Sequence, residues 1–196
     1  MCGIVGIISK NKIDRESTKD VIEKMTNSLI HRGPDGFGYY FGENFVFGRR
    51  RLAILDLSEA GRQPMEYKTR YVITYNGEIY NYSDLREELE RNGYSFKSRT
   101  DTEVIMASYD FWGVDCLKKF NGMWAFVIYD KQRKKFFISR DRFGKKPLYY
   151  YKDDDIFIFA SEIKAILAYP KVRMQVKPNL KFLDSYLKYG CREYVK

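Results

Sequence analysis

The sequence predicts an α+β fold in which antiparallel sheets are layered against helices. Two observations carry that expectation. Short apolar runs suited to strands come in groups between helical stretches, rather than alternating with them one by one. Two of these runs, Met123 to Tyr129 and Phe136 to Arg140, flank the polar turn Asp130 to Lys134, the pattern of an antiparallel hairpin.

The elements follow in order. Ile4 to Ile8 is a short apolar run that reads as a buried strand starting at the N-terminus. Ser17 to Ile30 carries Val21, Ile22, Met25 and Leu29 at helical spacing, with Ser17 as the expected cap. His31-Arg32-Gly33-Pro34-Asp35-Gly36 reads as a loop, punctuated by Gly and Pro. Strands are expected at Phe37 to Phe41, Phe45 to Arg49, Leu52 to Leu55 and Tyr71 to Tyr75. Ser83 to Arg91 is a helix with Ser83 as N-cap and Gly93 past its end, and Asp101 to Trp112 a second, starting at Thr100 or Asp101. Ile156 to Ala160 reads as a strand, and Glu162 to Leu167 and Asn179 to Tyr189 as helices. Pattern alone leaves the strand order open.

Composition narrows the function classes. With 196 residues, 44% of them apolar, the chain can build one sizeable domain and is too short for two full enzymes. The net charge is +9, but the basic residues are scattered, and no recognition helix or RNA-binding signature accompanies them, so no nucleic-acid partner is expected. No apolar run approaches a membrane span, and the N-terminus lacks the pattern of a signal peptide. Three scattered cysteines, Cys2, Cys116 and Cys191, fit a reducing cytoplasm better than a disulfide framework. A single histidine, His31, leaves no spaced Cys/His set for zinc, and no metal is expected.

Four features suit chemistry on an amide. Removal of Met1 would give Cys2 both a thiol and a free α-amine, and these ordinarily titrate close enough for the amine to act as base near neutral pH. His31 stands before a Gly-Pro loop that it is expected to order, so the α-amine is the natural partner for a nucleophilic Cys2. Asn76-Gly77 offers a side-chain amide and a backbone N–H to a developing oxyanion. Arg51 suits an α-carboxylate, and Asp101 and Glu78 suit an α-ammonium. In a strand Arg49 and Arg51 share a face and Arg50 points away. Taken singly, each feature has a plainer explanation: a small buried Cys2, an Asn-Gly hairpin turn, a surface Arg51, a helix-capping Asp101.

The order of motifs makes the combination specific. Met1-Cys2-Gly3-Ile4-Val5-Gly6, His31-Arg32-Gly33-Pro34-Asp35-Gly36, Arg51-Leu52-Ala53-Ile54-Leu55-Asp56-Leu57 and Gln63-Pro64-Met65 come first. Asn76-Gly77-Glu78-Ile79-Tyr80-Asn81, Asp101-Thr102-Glu103-Val104-Ile105, Asn121 to Phe126, Asp141 to Tyr150 and Ala160-Ser161-Glu162-Ile163-Lys164-Ala165 follow. Along nearly its whole length the chain resembles the N-terminal glutaminase domain of glutamine-hydrolysing asparagine synthetases, which are class II, N-terminal-nucleophile glutamine amidotransferases.

The resemblance implies a four-layer αββα N-terminal nucleophile (Ntn) hydrolase fold. It implies that Cys2 is the nucleophile with its own α-amine as base, and that Asn76 and Gly77 form the oxyanion hole. Glutamine would be held by Arg51, by the backbone of Leu52, Ala53, Ile54 and Leu55, and by Asn76, Gly77, Glu78 and Asp101. The implied reaction is hydrolysis of L-glutamine to glutamate and ammonia through a Cys2 thioester. Ammonia would then pass to an ATP-activated carboxylate, aspartate first among the candidates, on a synthetase domain. That domain, not this one, would bind ATP and Mg. Related proteins amidate polysaccharide or peptide carboxylates or serve sugar and purine precursors, and a non-catalytic glutamine sensor is a further reading.

Two departures stand out. The family commonly has histidine where this chain has Arg49. Nothing resembles the synthetase domain's Ser-Gly-Gly nucleotide loop, so residues 1–196 are expected to form a single type-2 glutamine amidotransferase domain, a fragment of a longer protein. The protein is expected to be cytoplasmic, and its oligomeric state is open.

Overall fold

A computed structural model gives the structure of the chain and describes residues 2–52 and 61–190. Nine strands and seven helices lie within those residues. In chain order they are β1 (Gly3–Ser9), α1 (Arg15–Asn27), β2 (Gly36–Phe41), β3 (Phe45–Arg51), β4 (Met65–Tyr67), β5 (Tyr71–Ile79), α2 (Tyr82–Arg91) and α3 (Asp101–Trp112). Then come α4 (Cys116–Lys119), β6 (Gly122–Asp130), β7 (Lys135–Arg140), β8 (Tyr149–Lys152), β9 (Ile156–Ala160), α5 (Ile163–Leu167), α6 (Pro170–Gln175) and α7 (Leu180–Tyr189).

The strands form two sheets, β2-β3-β1-β9-β8 and β4-β5-β6-β7. Every pairing between strands is antiparallel. Side-chain alternation then sorts the core into layers. On β1, Val5 and Ile7 turn toward the α1 and α5 helices and pack with Ile22, Met25, Leu29, Ala165 and Ile166. Ile4 turns the other way and joins Phe45, Phe47, Phe159, Val72, Ala125 and Val127 between the sheets. On β5, Ile73 and Tyr75 face α2 and α3 and pack with Leu85, Leu89, Val104 and Ile105. The order is helix, sheet, sheet, helix, as expected. Complete burial of a large apolar side chain in these layers contributes about 1.5–3 kcal/mol, and Phe45, Phe47, Phe126 and Phe159 are all at most 1% exposed.

The inter-sheet layer is apolar and aromatic in its middle. Phe45 meets Phe136 edge-on with ring centroids 5.2 Å apart, and Phe47 meets Phe159 edge-on at 5.6 Å. Gly6 makes this possible, because a Cβ there would lie 2.3 Å from the Phe159 ring. The same alternation that places Phe45 and Phe47 between the sheets carries Arg49 and Arg51 there at the end of β3. On β5 it carries Thr74, Asn76 and Glu78 to the face of Val72. Polar groups thus collect at one end of an otherwise apolar sandwich.

Several expected boundaries are corrected. Helix α1 is capped by Asp14, whose carboxylate accepts from Ser17 N at 3.0 Å, so Ser17 is a first-turn residue and not the cap. It ends at Asn27, and a separate 3-10 turn spans Ile30–Arg32. Helix α2 begins at Tyr82 behind Asn81, ahead of the expected Ser83. The expected hairpin of β6 and β7 forms, with Asp130 opposite Lys135. Strands β4 and β8 and helices α4 and α6 had no clear periodicity, being short segments held by their neighbours. Of the strand expected over Leu52 to Leu55, Leu52 lies outside any strand, while Ala53, Ile54 and Leu55 fall outside the described residues.

Candidate active site

Cys2 stands just before β1, buried at 9% exposure. Its carbonyl accepts from Arg32 Nε at 3.1 Å. Two residues on, Ile4 N donates to Ser161 Oγ at 3.0 Å and the Ile4 carbonyl accepts from Ser161 N at 2.9 Å. The first residues of the strand are therefore clamped from both sides. Arg32 is itself fixed by Glu162, Nη1 to Oε1 at 2.9 Å, and His31 Nε2 reaches the same oxygen at 2.8 Å. Burial alone would raise the Glu162 carboxyl, but the bonds from Arg32, His31 and Lys164 outweigh it and hold it at about 2. Two motifs far apart in sequence, His31-Arg32-Gly33 and Ser161-Glu162, thus meet around Cys2. Gly33 is required for the approach, since a Cβ there would stand 2.5 Å from the Arg50 carbonyl carbon.

The Cys2 sulfur has three polar neighbours. Arg49 Nη2 donates to Sγ at 2.9 Å, and Leu52 N donates to it at 3.4 Å. The Leu52 carbonyl lies 3.6 Å away as an acceptor for the thiol. Arg49, Arg50 and Arg51 alternate as expected. Arg50 points to the α1 side, where it reaches the Thr26 carbonyl at 3.4 Å and stacks over Phe37. Arg51 ends β3, half-buried, and its carbonyl accepts from Asp35 N at 3.0 Å.

Asn76 and Gly77 are not a hairpin turn. They lie inside β5, opposite Ala125 and Trp124 of β6. Asn76 is 1% exposed, and its Nδ2 is a buried donor with no hydrogen-bond partner among the described residues. Such a group costs about 1–3 kcal/mol when left unmade, and is seldom tolerated without a purpose. At Gly77 a Cβ would meet the Met123 carbonyl oxygen at 2.3 Å, so only glycine lets the two strands approach this closely.

Asp101 is not the cap of α3. Thr100 is, its hydroxyl accepting from Glu103 N, and Asp101 is the first helical residue. Its Oδ2 accepts from Tyr75 OH at 2.7 Å and Ile79 N at 3.0 Å. Burial raises its titration despite those bonds and despite the nearby Arg49 charge, with Glu78 adding to the rise. Arg49 therefore links the two ends of the site, touching the Cys2 sulfur and acting electrostatically on Asp101 and Tyr75. Glu78 is half-buried on β5. Ala53, Ile54 and Leu55, expected to line the glutamine pocket, lie outside the described residues, as does Met1.

Five residues here carried no role in the sequence reading: Arg32, Ser161, Glu162, Tyr75 and Lys146. All fall within or beside the motifs, but nothing in their spacing links them. Lys146 is 5% exposed, and burial lowers its titration, with Arg32 lowering it further and Cys2 and Glu78 opposing. Gln63 is a comparable link, joining Thr102 Oγ1 at 2.7 Å to Tyr75 N at 2.9 Å. Among the described residues, no group of three or more His, Cys, Asp or Glu side chains is placed to hold a metal ion. None of their helices is long and apolar enough to cross a membrane.

The chain is similar to several known proteins. The putative asparagine synthetase [glutamine-hydrolyzing] 2 of Methanocaldococcus jannaschii is 44% identical over 97% of this chain and 39% of its own length. Asparagine synthetase [glutamine-hydrolyzing] 3 of Bacillus subtilis is 44% identical over 90% of this chain and 29% of its own length. The chain thus spans well under half the length of these relatives. Among solved structures, the glutamine phosphoribosylpyrophosphate amidotransferase of B. subtilis shares the fold, with a TM-score of 0.72 at 20% identity over 86% of this chain and 43% of that one. Residues 1–195 match the family described as the glutamine amidotransferase domain, and the chain belongs to that family.

Proposed function

We propose that this chain hydrolyses L-glutamine to glutamate and ammonia, and that it supplies the ammonia to an ATP-dependent synthetase domain making asparagine from aspartate. The single observation that carries the first part is the buried, unpartnered Nδ2 of Asn76 in a site whose other end is the Cys2 sulfur. The second part rests on the asparagine synthetases that resemble the chain.

In this reading glutamine docks with its α-carboxylate on Arg51 and its α-ammonium on Asp101 and Glu78. After Met1 is removed, the α-amine of Cys2 takes the thiol proton as sulfur attacks the side-chain carbonyl carbon. Asn76 Nδ2 and Gly77 N stabilise the oxyanion. The C–N bond breaks, ammonia leaves with the proton from the amine, and a thioester remains. Water then adds to the thioester, the C–S bond breaks, and glutamate and the thiol are released. The Arg32 and Ser161 contacts keep the Cys2 main chain still while this happens. ATP and Mg act only on the synthetase domain, and the reaction takes place in the cytoplasm.

The test is glutamate release from glutamine by the purified chain, with its N-terminal mass measured and Cys2→Ala run beside it. Release by the Met1-free protein and none by the variant is expected. Asn76→Ala should lower kcat by about 100- to 1000-fold. Hydrolysis surviving in Cys2→Ala would overturn the reading.

A further inference from the structure

Arg49 has more hydrogen-bonding capacity than its surroundings use. It is 8% exposed, and Nη2 reaches the Cys2 sulfur at 2.9 Å. Its Nε and Nη1 are buried donors without a hydrogen-bond partner among the described residues. A guanidinium is charged at every physiological pH and presents its donors in a flat fork matched to a carboxylate. Unmade buried donors on such a group are costly. Other charged groups of the site have protein neighbours: Arg32 donates to Glu162 and the Cys2 carbonyl, Lys146 interacts electrostatically with Cys2, Glu78 and Asp141, and Asp101 accepts from Tyr75 and Ile79.

The proposed chemistry creates a matching group at this place. The side chain of glutamine ends in a neutral amide. In the thioester the acyl carbon is bonded to the sulfur that Arg49 touches. Water supplies a second oxygen, the C–S bond breaks, the sulfur regains a proton, and the acid formed loses one. The side chain now ends in a γ-carboxylate, one bond away from where the sulfur held it.

We propose that Arg49 is the receptor for this γ-carboxylate, so that the site binds glutamate more tightly than glutamine. This rests on Cys2 as nucleophile and on the amino acid docking described above. Arg51 takes the α-carboxylate of either amino acid and does not discriminate between them. Arg49 does, because it faces the end of the side chain where the two differ by a charge. A histidine at this position would offer the charge only when protonated. The chain is therefore built to be restrained by its own product wherever glutamate accumulates.

The experiment is a calorimetric titration of the full chain carrying Cys2→Ala, which prevents turnover, with glutamate and with glutamine. Glutamate is expected to bind about tenfold or more tightly than glutamine, the scale of a charge-assisted hydrogen bond. Adding Arg49→Met should remove that preference, so that glutamate and glutamine bind within about twofold of each other. Arg49→Lys, which keeps the charge without the fork, should retain part of it. Equal affinities in the Arg49 protein, or a glutamate preference that survives Arg49→Met, would overturn the proposal. The first comparison needs no change at Arg49, so it decides even if the buried substitution unfolds the chain. Binding of glutamine alone defeats only this proposal, whereas binding of neither amino acid defeats the glutamine site with it.

Discussion

Asp101 and Asp141 are both shielded from solvent, 5% and 6% exposed, but Asp101 sits much deeper in the protein, and their carboxyls are shifted in opposite directions. For both, burial is the largest influence and pushes upward. At Asp141 four backbone N–H groups reverse it. Lys145 N and Phe143 N donate to Oδ1 at 2.8 and 3.2 Å, and Lys146 N and Trp124 N donate to Oδ2 at 2.9 and 3.3 Å. At Asp101 the bonds from Tyr75 and Ile79 both fall on one oxygen, and burial prevails. Even its position at the start of α3, where a helix favours negative charge, does not change the outcome. A carboxylate surrounded by backbone donors serves the fold, here tying the turn after β7 to β6. A buried carboxylate short of donors is prepared for a cation from outside, and the proposed ammonium of glutamine is that cation.

The comparison can be broken most directly at Asp101. Asp101→Asn removes the negative charge proposed to meet the ammonium, and kcat/KM for glutamine should fall about 100-fold, the scale of a lost buried charge pair. The fold should not suffer. A carboxyl raised by folding binds its proton more readily in the native state, so stability falls as pH rises from the ordinary carboxylate range through the raised value and stays lower above it. At neutral pH the neutral asparagine is spared that penalty, and Tm should hold or rise. A large fall in Tm with unchanged kinetics would reverse the roles assigned to the two carboxylates.

Asp141→Asn should do the opposite. Its depressed value means that its stability contribution is present above the ordinary carboxylate range and is lost as pH falls through the native value. Substitution should cost about 2–3 kcal/mol, read as a fall in Tm of roughly 5–10 °C for a domain of this size. KM for glutamine should change little in the fraction that remains folded.

The smallest effect is expected at Tyr75, whose hydroxyl holds the Asp101 value down. Tyr75→Phe should raise KM for glutamine about fivefold on the acid side of the profile, and should shift the pH at which KM improves upward. The sign follows because the ammonium requires the ionised carboxylate, and losing a donor postpones ionisation. A pH profile unchanged in shape would show that Asp101 does not govern binding.

Much of this molecule was legible in the chain. Short apolar runs gave β1, β9 and the β6–β7 hairpin almost to the residue, and start signals at Thr100 and Asp101 gave α3, because in these segments local pattern and burial agree. Alternation also placed Arg49 and Arg51 opposite Arg50. Local preference misled where a distant group supplied the deciding contact. Asn76-Gly77 is by itself a turn signal, but pairing with β6 keeps it in a strand. Ser17 and Ser83 are acceptable caps, but Asp14 and Asn81 stand where the packed helices start.

The sequence by itself determined the layered α+β class, the cysteine at the N-terminus and the set of polar residues suited to a free amino acid, since these depend on residue type and short-range period. Only the tertiary structure decided which of those residues meet. It joined Arg32 to Glu162 across 130 residues, turned Arg49 onto the Cys2 sulfur, and left Asn76 Nδ2 without a partner among the described residues. Such pairings depend on how two sheets stack and on which donors remain unmatched when they do, and no local pattern encodes either.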